Sequence, residues 1–220
     1  MSTYVLMRIL ESAPRRYDLG IRLLTLGAVG PAYDRLVNSI EAGDLVLDVG
    51  CGTGALTLRA AKRGAYVKGI DINTEMLAVA KDHIAKAQYS GEVALEEKGV
   101  AELDQEPAET YDVFMSGLCL SELSEDELAY AFQQALRVLK PGGRLLVADE
   151  VPPTNIWLRW IHRLMRFPLA VATYLISGQT TRPLESLPVR VEEAGFVVES
   201  KRATALGSFM EITASKAVSN

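Results

Sequence analysis

The feature that most constrains the fold is a regular alternation of short apolar runs with longer helical patterns. Residues 44–49 form a short apolar run with glycine on both sides, which is typical of a buried strand, and a helical pattern follows at 53–62. The same alternation predicts strands at 66–70, 93–97, 111–115 and 144–148, and helices at 74–86, 125–139 and 185–194. Strands that alternate with helices predict an α/β fold, a Rossmann-like doubly wound sheet that is mostly parallel and has helices on both faces.

Turn and capping residues predict where some of these elements begin and end. The helical pattern at 17–40 is expected to break at Gly30-Pro31, because glycine and proline disfavour a helix interior. Thr74 is expected to cap the third helix, and Lys140–Gly143 is expected to form a turn before the fifth strand.

The last part of the chain should complete the sheet in the opposite direction. The predicted strands at 196–203 and 206–215 are too close for a helical crossover, so they should pair antiparallel at an edge of the sheet. A chain of 220 residues with 49% hydrophobic residues suits one domain over 1–220. Within it we expect an N-terminal helical cap at 1–42 and a helical insert at 152–183.

Charge and cysteine content exclude several classes of protein. The net charge of −5 argues against a general nucleic-acid binder, which needs a basic surface. Cys51 and Cys119 match neither a metal-ligand spacing nor a disulfide framework, so we expect no metal and a reducing, cytoplasmic setting. The first residues have no signal-peptide pattern. The longest uncharged run, 167–181, has 15 residues, whereas a membrane-spanning helix needs about 20.

The glycine-rich loop between the first strand and its helix is the most informative segment. Its glycines stand at 50, 52 and 54, and they let a ligand approach the backbone at a helix N-terminus. Dinucleotide-binding loops need a further glycine at the position of Ala55. The spacing therefore argues against a nicotinamide-dependent oxidoreductase.

Two acidic residues stand at the ends of the first two predicted strands. Asp48 would repel a pyrophosphate but attract a cationic ligand, and Asp71 suits a ribose diol. Either acid could instead cap a neighbouring helix.

Four motifs in order along residues 44–150 carry a resemblance to a known family. They are Asp48-Val-Gly-Cys-Gly-Thr-Gly54, Gly69-Ile-Asp-Ile-Asn73, Tyr111-Asp-Val113 and Arg137-Val-Leu-Lys-Pro-Gly-Gly143. They resemble the successive motifs of class I methyltransferases that depend on S-adenosylmethionine (SAM). The resemblance implies a seven-stranded sheet, SAM as cofactor with S-adenosylhomocysteine as product, and no metal. It places Gly50–Gly54 around the methionine portion, Asp71 on the ribose, and Ile72 and Asn73 beside the adenine.

One position departs from the family pattern and affects the adenine contacts. Val100 stands where the family often has an aspartate that contacts the adenine, so recognition would rest on the backbone of Val100 and Ala101 or on Glu102. The cofactor-binding residues predicted in total are Tyr17, Asp48, Gly50, Cys51, Gly52, Thr53, Gly54, Asp71, Ile72, Asn73, Met76, Val100, Ala101, Glu102, Ser116 and Leu118.

Catalytic residues on the acceptor side are harder to predict from the sequence, because methyl transfer from a sulfonium can proceed by proximity and orientation alone. If a general base is used, Glu150 and Glu122 are the nearest candidates by topology, with His162 behind them. Glu150 could equally be part of a polar strand end. Tyr17 lies in a segment that resembles the Tyr-Asp element with which ubiquinone- and menaquinone-type methyltransferases close over the cofactor, although a core aromatic is an equal interpretation.

The insert should carry the substrate information. Its basic residues Arg159, His162, Arg163 and Arg166 fall on one helical stripe, with apolar residues largely opposite. We favour a lid over a hydrophobic acceptor; the alternatives are peripheral membrane contact through 156–177 and docking of a partner protein. Together with residues 4–18, the insert also resembles a subgroup associated with corrinoid proteins, which makes a corrinoid protein a candidate partner.

The sequence therefore predicts a SAM-dependent methyltransferase with a small-molecule acceptor that is lipophilic or corrinoid-linked. The alternative function is a binding module that uses SAM to regulate a partner without turnover.

Overall fold

The computed structural model describes residues 17–19, 21–22, 25, 27–152, 184–203 and 209–218. Their strands form a seven-stranded sheet in the order β3-β2-β1-β4-β5-β7-β6. The strands are β1 (Leu45–Val49), β2 (Tyr66–Asp71), β3 (Glu92–Glu97), β4 (Tyr111–Gly117), β5 (Leu139–Glu150), β6 (Phe196–Ala203) and β7 (Phe209–Lys216). The predicted doubly wound α/β fold is confirmed.

Helices cover both faces of this sheet. They are α1 (Val29–Leu36), α2 (Ala55–Lys62), α3 (Thr74–Lys86), α4 (Glu125–Val138) and α5 (Leu187–Glu193), and short 3₁₀ helices lie at Val37–Ser39, Val100–Gln105 and Leu120–Glu122. Alternate residues of β1 explain the two cores, because successive strand side chains point to opposite faces. Val46 packs in the cluster that contains α1 and α2, whereas Leu47 packs in the cluster that contains α4 and α5.

The order of the strands places a crevice at the end of β1. Strands β1 to β5 pair in parallel, and β1 lies between β2 and β4, so the chain winds outward from β1 in both directions. Loops diverge at such a point, and in open α/β sheets ligands bind there, beyond the carboxyl ends of the strands.

The antiparallel pairing expected near the end of the chain is present. Strand β7 runs antiparallel to both β5 and β6. It therefore lies one position inside the sheet, and β6 forms the edge.

Three local expectations are wrong in detail. Helix α1 begins at Val29 and contains Gly30 and Pro31 in its first turn. Proline is tolerated there because a first-turn N–H group has no intrahelical acceptor. The interruption comes earlier, at Gly27, whose φ is +77°.

The third helix is capped one residue earlier than expected. Asn73 is its N-cap, and the side-chain oxygen of Asn73 accepts hydrogen bonds from the N–H groups of Glu75 (3.0 Å) and Met76 (3.1 Å). Thr74 is the first helical residue. Asparagine and threonine are both good caps, so the sequence alone could not choose between them.

The turn expected at Lys140–Gly143 lies inside a strand. Tyr111 pairs with Leu139, and Val113 pairs with Arg144. The four residues Lys140–Gly143 of β5 therefore stand opposite the single residue Asp112 of β4. The segment is thus a bulge in β5, which accommodates its proline and glycines within the sheet.

The expected cap and insert are described only in part. In the cap, residues 17–19 and 21–22 are helical, and α1 follows them. The insert lies outside the described residues except for Pro152. No helix within the described ranges is both long and apolar enough to cross a lipid bilayer.

Candidate functional site

The loop after β1 folds back on itself through glycines with a left-handed backbone. Gly50 and Gly52 have φ values of +70° and +53°, which L side chains rarely adopt. A Cβ atom on Gly50 would lie 2.3 Å from the Sγ atom of Cys119, so the loop after β4 packs directly on this glycine. A Cβ atom on Gly52 would meet only the terminal carbon of Met76, at 3.5 Å. Position 52 therefore has open space beside it.

Asp71, at the end of β2, holds this loop in place. One carboxylate oxygen accepts a hydrogen bond from the N–H of Gly52 and the other from the N–H of Asn73, both at 2.8 Å. Burial raises the pKa of Asp71, and these two hydrogen bonds oppose the rise. Each oxygen keeps a lone pair for a further donor, such as a ribose hydroxyl. The predicted ribose contact stays a prediction.

Asp48, at the end of β1, is buried but only half hydrogen-bonded. Its side chain is 1% exposed, and its Oδ2 atom accepts a hydrogen bond of 2.5 Å from the hydroxyl of Thr57 on α2. Its Oδ1 atom is buried with no hydrogen-bond partner among the described residues. Burial raises the pKa of Asp48 to about 7, and the Thr57 hydrogen bond offsets this only in part. An unpaired buried carboxylate oxygen is costly, so it marks a place where a donor from outside the protein would be stabilised.

A cavity of about 750 Å³ opens beside these groups. Its floor is the glycine loop with Asp48, and its walls come from α1, α2 and the helical residues before α1. The volume is in the range of small-molecule sites. Ile21, Val29 and Leu118 give the walls apolar surface, and Arg22 and Arg59 give them positive charge.

A hydrogen-bonded contact ties the N-terminal segment to the glycine loop. The hydroxyl of Thr53 donates to Asp18 at 2.6 Å. The Nδ1 atom of His83, on α3, lies 3.1 Å from the carbonyl oxygen of Thr53 and 3.9 Å from Asp18. Tyr17 and Asp18 both line the cavity, so the segment with the predicted lid residue Tyr17 is positioned over it.

The predicted adenine-side residues lie around the ends of β2 and β3. Ile72 is 73% exposed, which is unusual for a large apolar side chain beside a buried strand end. Val100 and Ala101 begin a 3₁₀ helix, and the carboxylate of Glu102 accepts a hydrogen bond of 2.7 Å from the N–H of Gly99. Met76 is buried close to Gly52. Their contacts with adenine stay predictions.

Three other predicted cofactor residues lie next to the loop. The hydroxyl of Ser116 donates to the carbonyl oxygen of Val49 at 2.9 Å, so it ties β4 to β1. Leu118 has a φ of +58°, a strained backbone for leucine, and lines the cavity. The Sγ atom of Cys51 would lie 3.1 Å from a Cβ atom on Gly69, so its side chain faces β2.

The candidate bases are not brought into the described cavity. Glu122 is exposed on its 3₁₀ helix and Glu150 is half-buried at the end of β5, and neither lines the cavity. The neighbouring Asp149 is fully buried and accepts hydrogen bonds from the N–H groups of Ser121 (3.1 Å) and Glu150 (2.6 Å). Burial raises the pKa of Asp149 to about 6 despite these bonds. His162 lies outside the described residues.

The groups at the crevice fit the cofactor that the sequence predicts. The unpaired Oδ1 atom of Asp48 would receive the ammonium group of SAM, and its charge would favour the sulfonium nearby. The open space beside Gly52 leaves room for the methionine portion. Within the described ranges, no cluster of histidine, cysteine and acidic residues is arranged to hold a metal ion.

Comparison with known proteins gives consistent findings. A family profile described as a methyltransferase domain matches residues 46–143. A demethylmenaquinone methyltransferase of Leptospira interrogans is 33% identical over 163 residues, and the match spans 71% of this chain but only 65% of that protein. An uncharacterized methyltransferase of Synechocystis sp. is 32% identical over 207 residues, 91% of each chain.

Solved structures share the fold. The crystal structure of a SAM-dependent methyltransferase from Methanosarcina mazei superposes with a TM-score of 0.64 at 21% identity, covering 83% of this chain and 96% of that one.

Proposed function

Because the chain belongs to the class I SAM-dependent methyltransferases, we propose that it transfers the methyl group of SAM to a small lipophilic ring acceptor of the quinol type by in-line displacement. The observation that carries the proposal is the half-bonded Asp48 at the floor of a cavity whose walls include apolar side chains. The quinol class is supported by the Leptospira relative, whose name gives demethylmenaquinone as its substrate.

The chain's own residues would act mainly by binding and orientation. SAM supplies an activated methyl group, so the protein has to align donor and acceptor and keep water away. Asp48 would hold the ammonium group, and the loop backbone would hold the rest of the methionine portion. Ile21, Val29 and Leu118 offer apolar surface next to them, as a lipophilic ring requires. Neither Glu122 nor Glu150 lines this cavity, so we assign to neither of them the proton that the quinol releases on methylation.

The test is a methyl-transfer assay with labelled cofactor. Purified protein is incubated with [methyl-¹⁴C]SAM and a short-chain demethylmenaquinone kept reduced with dithionite, and the label in the organic extract is counted. We expect label in the quinol with the wild-type protein and with Asp104→Asn, an exposed acid outside the cavity. Asp48→Asn should lose most of the label because it binds SAM poorly.

The other outcomes separate the alternatives. Label in a corrinoid added in a parallel reaction, with none in the quinol, would contradict the quinol class and favour a corrinoid-linked acceptor. SAM binding without label transfer to any acceptor in a metabolite extract would contradict turnover and favour a regulatory binding module.

A further inference from the structure

Tyr33, on α1, is a buried tyrosine whose hydroxyl has no partner within the described residues. Its side chain is 6% exposed and lines the same cavity as Asp48. Among the described residues, no hydrogen bond to the hydroxyl is found, and the hydroxyl is not one of the fully buried unpaired atoms, so it is accessible from the cavity. Asp48 Oδ1 is likewise unpaired. The cavity therefore presents one unused donor and one unused acceptor.

The position of the Tyr33 hydroxyl is fixed by packing on both sides. A Cβ atom on Gly117 would lie 2.5 Å from the hydroxyl oxygen, so this glycine makes room for the phenol at the end of β4. The guanidinium of Arg59, on α2, lies over the ring, 5.7 Å from its centroid. An aromatic face in contact with a cation is held in orientation. The hydroxyl is thus preorganised at the ends of β1 and β4.

The surroundings keep this hydroxyl protonated. Burial raises the pKa of Tyr33 well above its usual value, and the charges of Asp149, Asp48 and Asp18 raise it further, against a smaller opposite effect of Arg59. At neutral pH the phenol is a donor and cannot serve as a base.

A free donor and an unpaired carboxylate oxygen in the lining of one cavity suit a zwitterionic amino-acid group. The ammonium group needs an acceptor and the carboxylate needs a donor, and the two charges of an α-amino acid are adjacent. Arg59 brings positive charge to the side of the ring, and its Nε atom pairs with Asp34 at 2.7 Å, so it offsets the surrounding acids only in part. A neutral acceptor ring would not need the unpaired oxygen of Asp48.

We propose that the Tyr33 hydroxyl donates a hydrogen bond to the carboxylate of the methionine portion of SAM, next to the ammonium group at Asp48. Tyr33 is then a positioning residue, which fixes the amino-acid end of the cofactor. The proposal rests on SAM binding by this family and is independent of the identity of the acceptor.

The test compares two ligands that differ only in this carboxylate. Affinities of SAM and decarboxylated SAM are measured by calorimetry for the wild type, Tyr33→Phe and the control Tyr89→Phe. Tyr89 is a half-buried tyrosine that packs on the same core cluster but does not line the cavity. Tyr33→Phe should weaken SAM binding about tenfold, as expected for a lost charge-assisted hydrogen bond. It should change the binding of decarboxylated SAM by less than about twofold, and Tyr89→Phe should leave both affinities unchanged.

A stability measurement separates this role from a structural one. In the ligand-free protein the hydroxyl makes no hydrogen bond to a described residue, so Tyr33→Phe should unfold at the wild-type temperature or above it. Equal losses for the two ligands, or no loss for SAM, would overturn the proposal. Unchanged SAM affinity with weaker binding of the quinol would assign Tyr33 to the acceptor and also overturn it. If the wild type bound neither ligand, the cofactor assignment itself would be wrong.

Discussion

Two regions of the molecule that each bury a carboxylate treat it in opposite ways. In the first, which we call the Glu106 cluster, Glu106 accepts hydrogen bonds from Lys68 (2.8 Å), Lys98 (3.0 Å) and Tyr111 (2.6 Å). In the second, Asp48 receives one hydrogen bond, and one of its oxygens is left unpaired. Both side chains are buried, at 3% and 1% exposure.

The difference shows in the pKa values of the two groups. Burial alone would raise the pKa of Glu106, but the hydrogen bonds from Lys68, Tyr111 and Lys98 outweigh it and lower the pKa to about 2. At Asp48 burial prevails and raises the pKa to about 7. The protein itself completes the first carboxylate, whereas the second keeps an unpaired oxygen that the ammonium group of SAM would complete under our proposal. The same contrast holds for two tyrosines, since Tyr111 is bonded to Glu106 and Tyr33 to no described residue.

The largest effect is expected in the region of Asp48 and the glycine loop, which we call the ligand region. Gly52→Val should weaken SAM binding by about 1,000-fold or more, about 4 kcal/mol, because a branched side chain would fill the space that the backbone leaves for the ligand. Because residue 52 has a positive φ, the valine should also lower the free energy of unfolding, but only by about 1–2 kcal/mol. Calorimetry and urea unfolding measure the two effects.

Gly142 offers a matched control for this substitution. It has a φ of +75°, and a Cβ atom on it would meet its nearest neighbour at 3.5 Å, as at Gly52. It lies in the β5 bulge and does not line the cavity. Gly142→Val should therefore destabilise the protein to a similar extent and leave SAM binding intact. Wild-type affinity in Gly52→Val would contradict the placement of the ligand.

The next largest effect is expected in the Glu106 cluster, on stability and not on ligand binding. Glu106→Gln should lower the free energy of unfolding by about 3 kcal/mol, because it removes the buried anion that Lys68 and Lys98 share. It leaves these lysines only the partly exposed Glu96, at 3.1 and 3.3 Å. The low end of the usual range is expected, since Lys68 and Lys98 keep 23% and 20% of their side-chain surface in water. SAM affinity should change by less than about threefold. A stability like that of the wild type would show that the cluster is not a stabilising one.

Asp48→Asn should have the opposite effects, with weaker SAM binding and no loss of stability. The amide keeps the shape and an acceptor for Thr57 but loses the charge that an ammonium group requires, so SAM binding should weaken by about 1.5–3 kcal/mol. Stability at pH 8 should stay equal or rise, because a buried and incompletely bonded charge is removed. Calorimetry and urea unfolding on Asp48→Asn and Glu106→Gln in parallel give the comparison. Loss of stability in Asp48→Asn without loss of affinity would contradict the functional role of this carboxylate.

The ligand region was largely predictable because its residues are close in sequence. Asp48 lies near the end of one strand, Gly50 and Gly52 follow that strand, and Asp71 ends the next strand, so their adjacency in the sheet could be inferred from the alternation of elements alone. The same reasoning could not place Tyr33, because it reaches the cavity only through the packing of α1 against the end of β4.

Other contacts were also beyond the sequence pattern. Asp18, Thr53 and His83 meet across three separate segments, and only the Tyr-Asp pair at 17–18 gave a signal. Glu106 lies in an acidic stretch that looks like a solvated face, yet its partner Lys68 is 38 residues away. Pairing between distant side chains depends on tertiary packing, which local periodicity does not specify.

The smallest effect tests the two carboxylates through pH. The pKa of Glu106 is lowered in the folded protein, so its stabilisation is present above about pH 4.5 and is lost as the pH falls towards about 2. The pKa of Asp48 is raised, so the folded protein holds its proton more tightly, and stability falls as the pH rises from about 4 to about 7. An ammonium group binds the ionised form, so SAM affinity should increase about tenfold between pH 6 and 7.5. Above about pH 8 it should fall again, as the ligand's own α-amino group loses its proton. Calorimetry across this range should show that Asp48→Asn removes the rise in SAM affinity between pH 6 and 7.5, whereas Glu106→Gln keeps it. If the rise persisted in Asp48→Asn, another group would receive the ammonium.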